Sequence, residues 1–173
     1  MKKIFILLLI IVLSINCYSQ EIKYENFIVK RNTNTYRRDT YYLGQVKSKT
    51  EFYDFISNFN HEKIDLYDGF RNVIKVFDEN IDLYFTENDV FTLIEIKVKT
   101  DEYELYKTKI KIGNHINDVL SNYIESFKNE GKYYYAEIED FTNEFEELAF
   151  YNISIQVEED IIKSIILYYS FVL

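Results

Sequence analysis

The fold is decided by residues 80–99, which read NIDLYFTENDVFTLIEIKVK. Apolar residues alternate with polar ones on both sides of an acidic break at residues 87–89. A period of two with β-branched and aromatic side chains is typical of a half-buried strand, and a short polar break between two such runs is typical of a hairpin turn. This stretch therefore predicts an antiparallel hairpin with one face in the core.

A second stretch with the same pattern lies further along the chain. Ile153, Ile155 and Val157 alternate with polar residues, and an acidic break follows at residues 158–160. The strand after that break, residues 162–171, is apolar on both faces, which indicates a central position in a sheet. We interpret the two hairpins as a repeat, with chance similarity between Ile-rich strands as the alternative.

Each hairpin lies downstream of apolar residues with helical spacing. An amphipathic helix places apolar side chains at i, i+3, i+4 and i+7. The first set is Phe52, Phe55, Ile56 and Phe59, and the second is Ile116, Val119, Leu120, Tyr123 and Phe127. We expect Thr50 and Asn114 to cap these helices and Gly131 to end the second one.

The predicted fold class is α+β. Two tandem helix-plus-antiparallel-strand repeats are expected to share one sheet, with both helices packed on one face. The predicted units are a signal peptide at 1–19, an N-terminal strand or extension at 20–43, a first repeat at 44–105 and a second repeat at 106–173.

The beginning of the sequence has the pattern of a secretory signal peptide. Lys2 and Lys3 precede an unbroken apolar run at residues 4–13, which small and polar residues follow. The run is shorter than the stretch of about 20 apolar residues that a membrane-spanning helix needs. We therefore expect an exported protein, periplasmic or secreted, with no membrane span in the mature chain.

The end of the signal peptide has two interpretations. Cys17 and Ser19 are small residues at the positions that signal peptidase prefers for cleavage before Gln20. Lipid attachment at Cys17, as in bacterial lipoproteins, is the alternative and would anchor the protein in the outer membrane. Cleavage before Gln20 is the prediction, and a lipid anchor at Cys17 is kept beside it.

Composition excludes several classes of function. The formal net charge of −9 over 173 residues argues against nucleic acid as a partner. Cys17 is the single cysteine, so a mature chain without it has no cysteine nucleophile and no cysteine-ligated metal. A glycine-rich phosphate loop, Gly-x-Ser-x-Gly and His-Glu-x-x-His are all absent from the sequence.

The remaining candidates for metal or proton chemistry have simpler explanations. His61 and His115 have no partner motif and are expected to be surface or capping residues. Asp78, Asn80 and Asp82 have the spacing of a calcium loop, but the strand alternation that begins at residue 81 favours a polar hairpin turn. We therefore predict no metal site and no cofactor.

An acidic cluster leads to the one enzymatic alternative. Two of its carboxylates would form a hydrolytic pair if they faced each other across a cleft. A solvated acidic loop explains the same residues with fewer assumptions. The cluster comprises Glu137, Glu139, Asp140, Glu144, Glu146 and Glu147.

The most suggestive feature is a predicted binding face. If two strands pair through a turn near residues 101–102, their outward lysines form a positive stripe with tyrosines beside it. Tyrosine with basic residues suits a protein-binding surface, because tyrosine buries a large area at small entropy cost. An ordinary solvated sheet face is the alternative. The proposed face comprises Lys97, Lys99, Lys107, Lys109, Lys111, Tyr84, Tyr133 and Tyr135.

A resemblance to a family supports this interpretation. Ile110, Ile112, Gly113 and Val119, together with the two hairpins, resemble the helix-plus-hairpin repeat of beta-lactamase-inhibitor-protein-like and small outer-membrane-assembly lipoprotein domains. The resemblance spans residues 44–171 in architecture, and it implies an exported bacterial module without assigning any functional residue.

The predicted function follows from the face and the resemblance. We expect a non-enzymatic module of the inhibitor, immunity or envelope-accessory type, which binds another envelope or secreted protein through an open sheet face. An envelope hydrolase using the acids around residues 137–147 and a purely structural envelope lipoprotein are the alternatives.

Overall fold

A computed structural model describes residues 23–31, 40–108, 110–123, 126–139 and 149–171. The predicted signal peptide with Cys17, the predicted site residue Lys109 and the acidic residues 140–147 lie outside the described residues. No helix in the described part of the chain is long and apolar enough to cross a membrane.

Strands account for 59% of the structure. The two α-helices are α1 (Lys49–Ile56) and α2 (Ile116–Tyr123), and a 3-10 turn lies at Tyr24–Phe27. The strands are β1 (Ile28–Arg31), β2 (Thr40–Tyr42), β3 (Val46–Lys47), β4 (Asn60–Tyr67), β5 (Phe70–Phe77), β6 (Ile81–Glu87), β7 (Phe91–Val98), β8 (Tyr103–Leu105), β9 (Ile110–Lys111), β10 (Lys128–Glu130), β11 (Tyr133–Glu139), β12 (Ala149–Glu158) and β13 (Ile161–Phe171).

Nine strands form the main sheet, in the order β10-β11-β12-β13-β7-β6-β5-β4, with β3 paired to β7 outside this path. Each α-helix is followed along the chain by a meander of four antiparallel strands, β4–β7 after α1 and β10–β13 after α2. The two meanders join where β13 pairs with β7, from Ile165 opposite Val98 to Tyr168 opposite Glu95. The last strand of each meander therefore occupies the centre of the sheet.

A small sheet covers one face of the main sheet. Its four strands have the order β2-β1-β8-β9. Val29 and Leu105 of the small sheet belong to the same buried cluster as Leu83 and Ile153 of the main sheet, and all four are fully buried. We call this covered side the inner face. It forms a single core because period-two alternation turns one set of side chains from every strand toward it.

The helices complete the cover over the inner face. Phe52 of α1 stacks on Phe91 with ring centroids 3.8 Å apart, and Ile116 of α2 is also part of the core. Each helix has only eight residues, so neither one spans the sheet.

The predicted α+β class is therefore wrong, because the structure is mostly β. Much of the layer that was assigned to two helices is instead a second, smaller sheet. Its strands come from residues 28–31 and 40–42, within the segment predicted as an N-terminal strand or extension, and from 103–105 and 110–111. Strands of two to four residues, as in this sheet, are too short to show an alternation that distinguishes them from loops.

Local signals were predicted with mixed success. The hairpins predicted around residues 87–89 and 158–160 are confirmed, with the turns themselves at 88–90 and 159–160. The central position of β13 is confirmed as well. Ser48 rather than Thr50 caps α1, since its hydroxyl accepts from the Glu51 backbone N–H while the Glu51 carboxylate accepts from the Ser48 N–H. Gly131 lies in the turn between β10 and β11 with φ +70°, well beyond the end of α2.

Candidate binding face

The side of the main sheet opposite the core is the candidate binding face, which we call the outer face. Successive side chains of a strand point to opposite faces, so every second residue of each strand lies on the outer face. Its central members are Asp82, Tyr84, Glu95, Lys97, Ile166 and Tyr168, and Asn152, Ser154, Tyr133, Tyr135 and Glu137 continue it toward β10.

The predicted lysine stripe divides between two sheets. Lys97 and Lys99 lie at the outer face, where Lys97 is opposite Asp82. Lys107 lies in the turn between β8 and β9 with φ +61°, and Lys111 lies in β9, so both are on the small-sheet part of the molecule. The chain leaves the main sheet after Val98, and β8 pairs with β1 instead of returning along β7. This exchange of partner strands separates lysines that alternation alone would place together.

The tyrosines of the predicted face share the outer side of the main sheet. Tyr84 lies opposite Glu95, and Tyr135 lies opposite Ser154. The rings of Tyr133 and Tyr135 have centroids 6.1 Å apart and planes inclined by 27°. Their surroundings differ, since Tyr84 is only 5% exposed whereas Tyr133 and Tyr135 are half-buried.

Tyr84 is buried because the β4–β5 hairpin folds back over the outer face. In the strand register Tyr84 lies opposite Lys75, and Lys75 lies opposite Glu62. The ring that stacks on Tyr84 is nevertheless that of Tyr67, five residues beyond Glu62 in β4, with ring centroids 4.4 Å apart. Ile64, Phe70, Val73 and Ile94 complete a small apolar cluster beneath this hairpin. The first meander therefore covers part of its own outer face.

A charged network fixes the tip of this hairpin. The Tyr67 hydroxyl donates to Glu95 Oε1 at 2.8 Å, and Lys97 Nζ donates to the Tyr67 oxygen at 2.9 Å. Lys97 Nζ also lies 3.0 Å from Glu95 Oε1 and 4.9 Å from the centre of the Tyr84 ring. The predicted binding residue Lys97 thus already has an anionic, a hydroxyl and an aromatic partner within the chain.

The titration of this network follows from its burial and contacts. Burial is the main reason that the pKa of the Tyr67 hydroxyl lies well above its ordinary value. Burial lowers the pKa of Lys97, but the hydrogen bonds to Tyr67 and Glu95 outweigh it, so that pKa is raised. Tyrosine stays protonated and lysine stays charged at neutral pH, and the network persists across the physiological range.

Lys99 is neutralised in a similar way. Its Nζ lies 2.7 Å from Asp82 Oδ1, and Lys75 Nζ lies 3.5 Å from Asp82 Oδ2. Asp82 itself is 9% exposed. Lys75, Lys97 and Lys99 therefore pair with carboxylates of the same face and do not form a free positive stripe.

The second meander leaves a depression in the outer face, with a volume of about 340 Å³. Tyr135 of β11 and Tyr168 of β13 form its half-buried sides, and Asn152, 6% exposed, lies between them at its base. Lys128, Glu130 and Glu137 are exposed at its rim. A volume of this size is at the lower end of the range of roughly 300–1,000 Å³ for ligand sites.

Carboxylates surround one side of the depression. Burial raises the pKa of the Tyr168 hydroxyl, and Tyr135, Glu137, Asp68 and Glu95 raise it further through their charges. Asp68 belongs to the turn of the folded-back hairpin, so that turn acts electrostatically on β13. The carboxylates of Glu137, Asp68 and Glu95 therefore act electrostatically on the Tyr168 side of the depression.

No protein family model, curated protein or solved structure matches this chain.

The other predicted sites are placed as follows. Asp78 Oδ1 accepts from the backbone N–H groups of Asn80 and Ile81, which makes it a turn residue. His61 is exposed on edge strand β4, and His115 is exposed in an isolated bridge to Ile161. In the described ranges, no group of three or more His, Cys, Asp or Glu side chains is arranged to hold a metal ion.

Only part of the acidic cluster lies in the described residues. Glu137 reaches the rim of the depression, and Glu139 belongs to β11. Asp140, Glu144, Glu146 and Glu147 lie outside them. The hydrolase alternative therefore stays a prediction.

Sequence reasoning missed Tyr67, Glu95 and Tyr168. The Asp68-Gly69 pair was a usable signal for the first, because Asp-Gly with φ of +46° and +84° forms the two-residue turn typical of hairpins. Because residues of mixed polar and apolar character flank this turn on both sides, it would have predicted a hairpin of β4 and β5. The position of Tyr168 depends on the β13–β7 pairing, for which the sequence contains no local signal.

Proposed function

We propose that this protein is an exported, non-enzymatic module that binds another envelope or secreted protein through the outer face of its main sheet. The observation that carries the proposal is the contrast between the two sides of this sheet. The inner face is covered by the small sheet and the helices, whereas Tyr135 and Tyr168 are half-buried at the sides of a depression on the outer face, with Tyr133 next to Tyr135.

The chemistry of these side chains supports a protein partner. Tyrosine supplies a large, rigid contact area with a polar tip, and such residues frequently contribute most of the binding energy at interfaces. Tyr133 and Tyr135 alternate with inward residues on one strand, so their rings present one contiguous surface.

Export is part of the proposal and rests on residues 1–19. Cleavage before Gln20 yields a periplasmic or secreted protein, and acylation of Cys17 yields an outer-membrane lipoprotein. Mass spectrometry of the mature N-terminus distinguishes the two.

Photo-crosslinking from a defined position tests the binding face. Benzoylphenylalanine at position 133 is expected to crosslink the full-length protein, in its native cells, to a discrete partner. The matched control has the same residue in place of Tyr53, which is 53% exposed on α1. Reconstitution with the purified partner should then show at least about tenfold weaker binding for Tyr135→Ala, as expected for an interface hot spot.

Two results would contradict the proposal. One is a crosslinked species that forms equally well from positions 53 and 133. The other is a purified partner whose affinity is unchanged by Tyr135→Ala in a variant that remains folded.

A further inference from the structure

The lysines that made the outer face look basic are neutralised by its own carboxylates. Lys97 lies 3.0 Å from Glu95, and Lys99 lies 2.7 Å from Asp82. A partner that approaches the first meander therefore meets charge pairs that are already formed. The positive stripe does not determine which partner fits.

The depression in the second meander, by contrast, has carboxylates that are not paired with lysines among the described residues. Its lining includes the carboxylates of Glu130 and Glu137 but only the one ammonium group of Lys128. In the part of the chain that the structure describes, no ion pair involves Glu130 or Glu137. These two rim carboxylates are exposed and accessible to a partner.

Aromatic rings stand beside these carboxylates. Tyr135 and Tyr168 line the depression, and the face of an aromatic ring attracts a cation within about 6 Å of its centre. The same chain already uses this contact elsewhere, with Lys97 Nζ 4.9 Å from the centre of the Tyr84 ring and Glu95 beside it. Tyr168, Tyr135 and Glu137 provide groups of the same kinds around the depression, where Lys128, opposite Tyr135 in the strand register, is the one cationic residue among the described lining residues.

We propose that this depression receives the side chain of an arginine or lysine from the partner protein. The inference rests on the proposed function and specifies its partner: a protein with an exposed basic residue at the centre of its contact surface. Arginine fits best, because its planar guanidinium group stacks on aromatic rings and donates to carboxylates at the same time.

Charge complementarity favours this occupant over an anionic one. The whole chain has a formal net charge of −9, which repels anionic membranes and nucleic acids and attracts a basic protein. Glu137 and Asp68 both act on Tyr168 with negative charge, in addition to the burial that raises its pKa. A basic side chain that enters the depression gains from the aromatic rings and from the rim carboxylates of Glu130 and Glu137.

A matched pair of peptides tests the proposal on the full chain. The probes are Gly-Arg-Gly-Arg-Gly and the same peptide with citrulline in place of both arginines, each acetylated and amidated. NMR titration at low ionic strength should show the arginine peptide shifting the resonances of Tyr135, Tyr168 and Asn152. The citrulline peptide should bind about two- to fivefold more weakly or not at all.

Two charge substitutions should change the affinity in opposite directions. Glu137→Gln should weaken binding of the arginine peptide about two- to fivefold, and Lys128→Gln should strengthen it by a similar factor. Glu158→Gln, an exposed acid at the far end of β12, should leave it unchanged. All three positions are exposed, so the variants are expected to fold.

The outcomes separate this inference from the proposed function. Equal binding of the two peptides, or an affinity that Glu137→Gln and Lys128→Gln do not change, overturns the basic-residue inference. A partner that still crosslinks at position 133 in that case leaves the proposed function in place. Shifts confined to residues outside the depression also overturn the inference.

Discussion

The two meanders of the main sheet use their outer faces differently. Each contributes four strands, and each ends in a strand at the centre of the sheet. In β4–β7 the first hairpin folds back, so Tyr67 covers Tyr84 and joins Lys97 and Glu95 in a closed network. In β10–β13 the corresponding first strand has only three residues and leaves Tyr135 beside a depression. The length of the first strand in each meander thus determines whether the outer face of that meander is covered or accessible.

The inner faces, by contrast, should be equivalent. Leu83 and Ile153 are fully buried at matching places in the two meanders. Leu83→Ala and Ile153→Ala should each lower the free energy of unfolding by about 2–5 kcal/mol, since each leaves a cavity in a single core. Urea unfolding with Glu158→Gln as the exposed control measures both. A loss confined to one of them would show that the meanders do not share a core.

A smaller effect should separate the outer faces. Tyr67→Phe removes the hydroxyl that bridges Glu95 and Lys97, so it should lower the free energy of unfolding by about 1 kcal/mol. Tyr133→Phe is the matched change in the second meander, and it should change the free energy of unfolding by no more than about 0.5 kcal/mol. In the described ranges the Tyr133 hydroxyl makes no hydrogen bond. Equal losses in urea unfolding would remove the distinction between a covered and an accessible face.

The smallest effect concerns the helices that precede the meanders. Ser48→Ala removes the side-chain cap of α1 and should cost about 0.5–1 kcal/mol at neutral pH. His115→Ala, at the residue before α2, should cost less, because among the described contacts its side chain makes no capping bond. Thermal unfolding of both variants against the native chain makes the comparison.

The same cap predicts an acid dependence of stability. Hydrogen bonds from the Ser48 side chain and backbone lower the pKa of Glu51. A lowered pKa in the folded state stabilises the fold above the ordinary carboxyl pKa, and that contribution is lost as the pH falls through the lowered value. The difference between the native chain and Ser48→Ala should therefore shrink between about pH 5 and pH 3. A constant difference across this interval would exclude the charged cap.

Alternation in the sequence determined which side chains share a face, but not which strands are neighbours. It predicted β6, β7 and the central β13 correctly, and it placed Tyr84, Tyr133 and Tyr135 on one side of a sheet. It joined Lys97 and Lys107 in one hairpin because their runs are close in sequence. Pairing is decided by long-range contacts that a local pattern does not encode.

The rest of the candidate site depends on tertiary structure. Tyr168 faces the depression because β13 pairs with both β12 and β7. Lys97 is neutralised by Glu95 of its own strand and donates a hydrogen bond to Tyr67, which only the folded-back hairpin brings close. The sequence predicted a binding surface of tyrosine and lysine, while the fold decides which of these groups are exposed.

The pairing of β7 with β13 also constrains how the molecule reaches its native state. Val98 finds its neighbour Ile165 only after the whole second meander has been synthesised. Until then, the edge of β7 that later pairs with β13 has no partner strand except over its short contact with β3. Unpaired strand edges of this kind promote aggregation. Contacts so distant in sequence slow folding, because closing the intervening loop costs entropy before any bond forms. Refolding of this chain should consequently be slow compared with helical proteins of similar size, and it should be sensitive to protein concentration.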